Sequence, residues 1–428
     1  MRPPGRLSAA IEILEDILSR HRPASAALAD WGKAHRFAGA ADRSAIGNLV
    51  YDALRRRASC AFLMGSDSPR ALALGALRLT WGMDAPAIGA LTGVEHGPAP
   101  LTGEEAMALT GTVGEEAPAH VRADVTEWVM PSLSRAFGDD AMAEGAALAC
   151  RAPVDLRVNS LKASRAKLAH ELDRFGAEPT RWSPVGLRIP PAASGPGRNP
   201  NIEAEAAHAK GWFEVQDEGS QIVALLAGAK PGLQVADICA GAGGKTLAMA
   251  ATMENKGQIL AYDSDRMRLK PIFDRLQRAG VRNAQVLRAG ERSALSALEG
   301  KMDLVFLDAP CSGSGAWRRR PDTKWRLKPR NLAERIDQQR AVLVEAARLV
   351  RPGGRLVYVT CSILPEENVD QVDWLAAQTP ALAALPYRDL WRQALPGEPP
   401  DSADGRELTL LLTPRRHGTD GVFFAAWT

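Results

Sequence analysis

The sequence predicts an α/β protein whose carboxyl-terminal half is a doubly wound domain, preceded by a small α+β unit and an all-helical unit. Three observations carry that reading. After Gly211 short β-rich runs alternate with helical stretches, the pattern of a mostly parallel sheet. A glycine-rich turn, Asp237-Ile-Cys-Ala-Gly-Ala-Gly-Gly-Lys-Thr246, leaves the first of those strands and enters a helix. The first hundred residues, by contrast, carry apolar side chains at helical spacing and no strand signal.

At 428 residues the chain is too long for one ordinary core, and three domains are expected, over 1–110, 125–200 and 205–428. Hydrophobic residues at 46% and charged residues at 24% exclude a mainly disordered chain. A net charge of +3 permits nucleic-acid binding without arguing for it. The five cysteines, Cys60, Cys150, Cys239, Cys311 and Cys361, have no CxxC spacing, so neither a disulfide framework nor a metal site is expected. The first twenty residues place acids inside their apolar run, unlike a secretory signal, and no run approaches the roughly 18 apolar residues of a membrane span. A cytoplasmic monomer without metal or membrane attachment is the expectation.

In the first unit Ile11, Leu14 and Leu18, and then Ile46, Leu49, Val50 and Leu54, mark two buried helix faces. The second ends in Arg55, Arg56 and Arg57, read as a solvated helix end. The stretch 98–118 reads as a linker. Next, VDLRVNSL and VGLRIP read as strands flanking a helix, SRAKLAHELDRFG, that Gly176 closes, and AASGPGRNPN breaks the pattern. In the last unit LQVADIC, GQILAYD, AQVLRA, MDLVFLDAP and RLVYVTCS are the strands, with ELTLLLTP and GVFFAAWT as an edge hairpin.

The glycine turn lies where open α/β sheets bind ligands, and Asp263, ending the next strand, suits a pair of ribose hydroxyls. A P-loop is excluded because Cys239 stands five before Gly244, and a dinucleotide fingerprint because Thr246 stands three after Gly243. S-adenosylmethionine is the ligand that remains. Two further strand ends carry Asp308-Ala-Pro-Cys311-Ser-Gly-Ser-Gly315 and Thr360-Cys361-Ser362, so both cysteines are expected to face one cleft. Such a pair suits methylation at carbon 5 of cytosine: one thiolate adds to carbon 6, and a base later removes the carbon 5 proton and releases the thiol. Asp308 would hydrogen bond the ring edge as charge builds there. Cys60 and Cys150 read as small buried hydrophobes, and Cys239 as a backbone contact to the cofactor. Just beyond, Arg318, Arg319, Arg320, Lys324, Arg326, Lys328 and Arg330, with Trp317 and Trp325 between them, read as a nucleic-acid strip.

DICAGAGGKT, AYD, LDAPCSGSGAWRRRPDTKW, GGRLVYVTCSILPEEN and HGTDGVFF resemble the successive motifs of the Sun/Rsm-type (RsmB/NOP) RNA cytosine-5 methyltransferases, over roughly residues 125–428. The resemblance implies a Rossmann-like class I methyltransferase domain with Cys361 as nucleophile and Cys311 assisting product release. It implies cofactor binding along Cys239, Ala240, Gly241, Ala242, Gly243, Gly244 and Lys245, and at Asp263 and Asp308. Arg318, Arg319, Arg320, Lys324 and Trp325 are the RNA contacts expected. Where the family has an adenine-contacting aspartate, this chain reads Arg288-Ala-Gly-Glu-Arg292, leaving Gly290 or Glu291 in that place. The small unit is similar to a ferredoxin-like or RRM-like domain, and DRSAIGNLVYDALRRR to a NusB-like RNA-binding extension, which points to small-subunit ribosomal RNA. The rivals are the same chemistry on transfer RNA and a non-enzymatic RNA-binding assembly or antitermination factor.

Overall fold

A computed structural model describes residues 1–197 and 200–428, and of Arg292 the backbone alone. Residues 198 and 199, in the run expected to break the pattern, lie outside the described residues. The chain forms two compact units. One comprises Met1–Ala152, a short return beginning at Pro191, and Ala316–Leu327; the other holds Pro153–Pro190, Pro200–Gly315 and Lys328–Thr428.

The first unit is helical, as its periodicity predicts. Leu7, Ile13, Leu14 and Ile17 of the helix Pro3–Arg20 pack against Ile46, Leu49, Val50 and Leu54 of Ala40–Arg55 and against Leu72, Leu74 and Leu77 of Pro69–Leu79. The stretch read as a linker contains a helix, Gly103–Ala108, closed at its start by a Thr102–Glu105 capping box. The helices Met130–Phe137 and Ala141–Leu148 also belong to this unit, so the compact break falls after Ala152, inside the span expected for the small domain. Among the described residues, no helix is long and apolar enough to cross a membrane.

The second unit begins with a four-stranded antiparallel sheet of order β2-β3-β1-β4, formed by β1 (Val154–Val158), β2 (Glu178–Pro179), β3 (Gly186–Ile189) and β4 (Phe213–Val215). Leu156, Leu187, Ile189 and Phe213 bury one face of it against Leu168 and Leu172. The strand β4 is a correction: it lies beyond residue 205, where the last domain was expected to start, yet it pairs with β1. Three residues are too short a run to show a period of two.

The larger sheet has the order β10-β11-β9-β8-β5-β6-β7. Its strands are β5 (Gln234–Ile238), β6 (Gln258–Tyr262), β7 (Ala284–Val286), β8 (Met302–Asp308), β9 (Val350–Thr360), β10 (Leu410–Leu412) and β11 (Val422–Trp427). The first five run parallel, and the hairpin β10–β11 is antiparallel at the edge, as its sequence suggests. Strand order reverses between β5 and β8, and it is at the carboxyl ends of such a switch point that open α/β sheets bind ligands. The small sheet is bonded to this domain: the Asn159 amide donates to the carbonyls of Gly211 and Ala279, and buried Glu214 accepts from Arg275 and Arg278.

Candidate active site

The turn after β5 is shaped by its backbone. Cys239 has a φ of 64°, Gly241 of 53° and Gly243 of 81°. At Gly243 a Cβ would come within 2.5 Å of Ile272, so glycine is required for both reasons. Gly244 and Lys245 then start the helix Gly244–Thr252. The Gly241 N–H donates to Asp263 at 3.0 Å and the Asp265 N–H to the other Asp263 oxygen at 2.8 Å, so the carboxylate after β6 holds the turn open. Ala240 is tied by its N–H to the Tyr262 carbonyl, and the Ala242 carbonyl accepts from Arg275. Below the turn Asp237 is fully buried. Burial pushes its carboxyl up to about 7, against a hydrogen bond from Thr246.

Cys239 is not built as a nucleophile. Burial first, then the charges of Asp263 and Asp308, push its thiol up to about 12. Cys60 is buried against Gly75, as expected of a small hydrophobe. Cys150 is exposed, which corrects the same expectation for it.

Asp308 ends β8 and Thr360 ends β9, and these neighbouring strands carry the two remaining cysteines to one place. Their sulfurs lie 3.3 Å apart, both half-buried. The Lys245 ammonium, almost fully buried, pairs with Asp308 at 2.9 Å; burial is the largest single influence and lowers its pKa, but the charge and hydrogen bond of Asp308 with the charges of Cys361 and Asp237 together raise it. The two thiol-bearing loops are stitched together: the Gly315 N–H donates to the Cys361 carbonyl, the Ile363 N–H to Ser314 Oγ, and Ser314 and Ser362 share a hydroxyl hydrogen bond of 2.9 Å. Gly315 accepts an N–H from Gly421 of the HGTDG run, and a Cβ on Gly315 would come within 1.9 Å of the Gly421 carbonyl.

Sequence reasoning missed Glu367, Asn368 and Gly421. Glu367 is fully buried and accepts from the Ser312 N–H and hydroxyl; Asn368 accepts from Thr360 Oγ1 and donates to the Ser362 carbonyl. Glu367 and Asn368 lie in ILPEEN, which the sequence reading takes only as part of a motif, with no role given to its side chains. Glu291 is exposed and Gly290 has a φ of 75°, so neither is fixed as an adenine contact by its protein neighbours.

The basic strip requires a larger correction. Arg318 and Lys324 are buried, and the Arg318 carbonyl accepts from Arg55. The Lys324 ammonium donates to the Arg55 carbonyl at 3.0 Å, and Trp325 Nε1 donates to the Leu54 carbonyl at 2.6 Å. These two carbonyls end the helix Ala40–Arg55, so Lys324 and Trp325 cap it. Asp322 accepts the Ala24 N–H at 3.4 Å, at the start of the helix Ala24–Ala34. Arg55 is itself spent on Asp52 and Arg56 on Asp124, rather than forming a solvated end. Of the five expected RNA contacts, Arg320 is exposed and Arg319 half-buried. Among the described residues no group of three or more His, Cys, Asp or Glu could hold a metal ion.

A mixed seven-stranded sheet of this order, a glycine turn after its central strand and a ferredoxin-like sheet preceding it in the chain define a Rossmann-like methyltransferase fold. Residues 224–428 match the family described as 16S rRNA methyltransferase RsmB/F, and residues 125–194 match the ferredoxin-like domain of the same proteins. These matches place the ferredoxin-like and methyltransferase segments of the chain in the RsmB/F family. It is 32% identical over 303 residues to a probable ribosomal RNA small subunit methyltransferase B of Synechocystis, covering 70% of this chain and 65% of that one. To the ribosomal RNA small subunit methyltransferase B of Salmonella heidelberg it is 37% identical over 182 residues, 42% of each chain. The matched stretch thus spans less than two thirds of either relative. The crystal structure of PH0851 superposes with a TM-score of 0.74 at 26% identity, covering 100% of this chain and 99% of that one.

Proposed function

We propose that the chain is an S-adenosylmethionine-dependent RNA (cytosine-5)-methyltransferase acting on small-subunit ribosomal RNA through a covalent cysteine adduct. The observation that carries this is the pair of sulfurs 3.3 Å apart at the ends of β8 and β9, beside the Lys245–Asp308 ion pair. The relatives from Synechocystis and Salmonella, by their names, support ribosomal RNA as substrate.

The residues of the turn fit the cofactor: backbone with positive φ at Cys239, Gly241 and Gly243 leaves room beside Asp263, where a Cβ on Gly241 would meet nothing nearer than 3.6 Å. Cys239 to Lys245 and Asp263 would hold it, and it would supply an electrophilic methyl group. The chain's own residues do the rest. Cys361 adds to carbon 6 of the cytosine, making carbon 5 nucleophilic. Asp308 accepts a hydrogen bond from the exocyclic amine at the ring edge, and Lys245 holds Asp308 in place. In release a base takes the carbon 5 proton as the carbon 6–sulfur bond breaks and Cys361 leaves as thiolate, and Cys311 assists that step. The target base must leave any stack to reach a half-buried thiol, which favours an exposed loop or assembly intermediate. Arg319 and Arg320 are the proposed phosphate contacts.

The test is to incubate the protein with unmodified small-subunit ribosomal RNA and labelled S-adenosylmethionine and map 5-methylcytosine. Methylation of one cytosine supports the reading. Activity on transfer RNA alone would move the substrate, and RNA binding with no methylation of either would favour a binding factor.

A further inference from the structure

Two thiols 3.3 Å apart cannot both ionise readily, because like charges at that distance repel strongly. The charged groups around the pair are unequally placed. Lys245 presents its ammonium toward Cys361 and Asp308. On the other side Glu367 is locked against the Cys311 loop: its carboxylate accepts the Ser312 N–H at 2.6 Å and the Ser312 hydroxyl at 2.5 Å, with Gln339 Nε2 at 3.5 Å. Gln339 also donates to the Pro310 carbonyl, so the same two residues hold the backbone on both sides of Cys311. Tyr358, whose hydroxyl donates to the Glu367 carbonyl, is a neutral phenol under these conditions because burial, Cys311 and Glu367 raise it well above its ordinary value.

We propose that Glu367 is a positioning residue that makes the two cysteines unequal, fixing the Cys311 loop and setting its carboxylate against the residue next to that sulfur, so that Cys361 is the one free to attack. The proposal rests on the reading of Cys311 and Cys361 as a catalytic pair. The groups that act on Cys311 are Cys361, Glu367, the Gly313 backbone, whose hydrogen bond opposes the others, and Tyr358; of these only Glu367 is a carboxylate, and it is hydrogen-bonded to the residue next to Cys311. The hydrogen bond with Cys361, burial, and the charges of Cys361 and Glu367 together push the Cys311 thiol well above the usual thiol range. Burial raises the Glu367 carboxyl above its ordinary value, and hydrogen bonds from Ser312 and Ser362 oppose that rise, so donors from both loops are what favour its charged form. A surface acid could not do this, because solvent would screen it.

The experiment is site-resolved alkylation of the full chain with iodoacetamide between pH 6 and 10, read by mass spectrometry, with thermal unfolding as the check on folding. In the native protein Cys361 should label well ahead of Cys311. In Glu367→Gln the Cys311 rate at pH 8 should rise about tenfold, the effect of one unit in thiol pKa, while Glu367→Asp, which keeps the charge, should restore most of the native order. If Glu367→Gln does not fold, Ser312→Ala removes only the hydroxyl that fixes the carboxylate and should raise the Cys311 rate about threefold. Unchanged labelling order and pH profile in a folded Glu367→Gln, or in Ser312→Ala where that is the variant read, overturns the proposal. The readout needs no methyl transfer, so a chain that labels as expected but leaves RNA unmodified would refute the proposed reaction and not the role of Glu367.

Discussion

The run from Asp308 to Trp325 reads in sequence as one functional segment, but its two halves do different work. Up to Gly315 the side chains bond to one another and to the neighbouring strand end: Asp308 meets Lys245, Cys311 meets Cys361, and Ser312 and Ser314 tie the loops. From Ala316 the chain joins the helical unit, where Lys324, Trp325 and Asp322 satisfy the ends of two helices. The difference teaches that a basic, aromatic composition specifies interaction strength and not the partner. A buried ammonium on a helix carboxyl end and an exposed one on a phosphate look alike in sequence.

The sharpest way to break this comparison is to substitute both halves and compare turnover. Cys361→Ala should lower methylation on the order of 10⁴-fold and abolish adduct formation, whereas Cys311→Ala should accumulate a denaturant-stable protein–RNA adduct. Activity retained by Cys361→Ala would exchange the roles of the two thiols. Asp308→Asn should cost on the order of a hundredfold in kcat with KM little changed, since a group that stabilises developing charge acts in the transition state. A rise in KM alone would make Asp308 a binding residue only.

The second half should answer to stability instead. Burial lowers the Lys324 ammonium to about 8, against an ordinary 10.5, although Asp124 opposes the shift. Between about pH 8 and 10.5 the folded protein therefore binds fewer protons at this site than the unfolded chain does. The penalty for burying the charge is full below pH 8 and is relieved as pH rises through that window. Lys324→Met lacks this term, so the melting temperature of the native protein relative to the variant should climb from pH 7.5 to 10. A difference that stays flat would show the ammonium to be better solvated than its burial implies.

What was legible follows the same division. The strands β5, β6, β8 and β9 announce themselves by continuous apolar runs, because both faces of a parallel sheet are covered. The thiol pair was legible because each cysteine follows such a strand in a tight Gly/Ser or Thr/Ser turn, and topology then brings neighbouring strand ends together. The capping role of Lys324 and Trp325 was not, since their acceptors are backbone carbonyls 269 and 271 residues earlier, which carry no side-chain signature. Glu367 was hidden for a related reason. Its donors, Ser312 and Ser362, come from two loops, and nothing local distinguishes a buried acid in Pro-Glu-Glu-Asn from a solvated one.

The smallest expected effect is that of Trp325→Phe. The ring lies against the helical core and near Arg57 and Lys324, at 5.5 and 4.9 Å from its centroid, and phenylalanine keeps most of that contact. What it loses is one hydrogen bond from Nε1, leaving the Leu54 carbonyl at a helix end without its donor. That should cost about 1–2 kcal/mol in unfolding free energy, read from denaturant titration, while methylation per folded molecule stays within about twofold of the native value. A Trp325→Phe variant of native stability that bound RNA more weakly would return this indole to the nucleic-acid strip, and with it the expectation that the run beyond Gly315 serves the substrate.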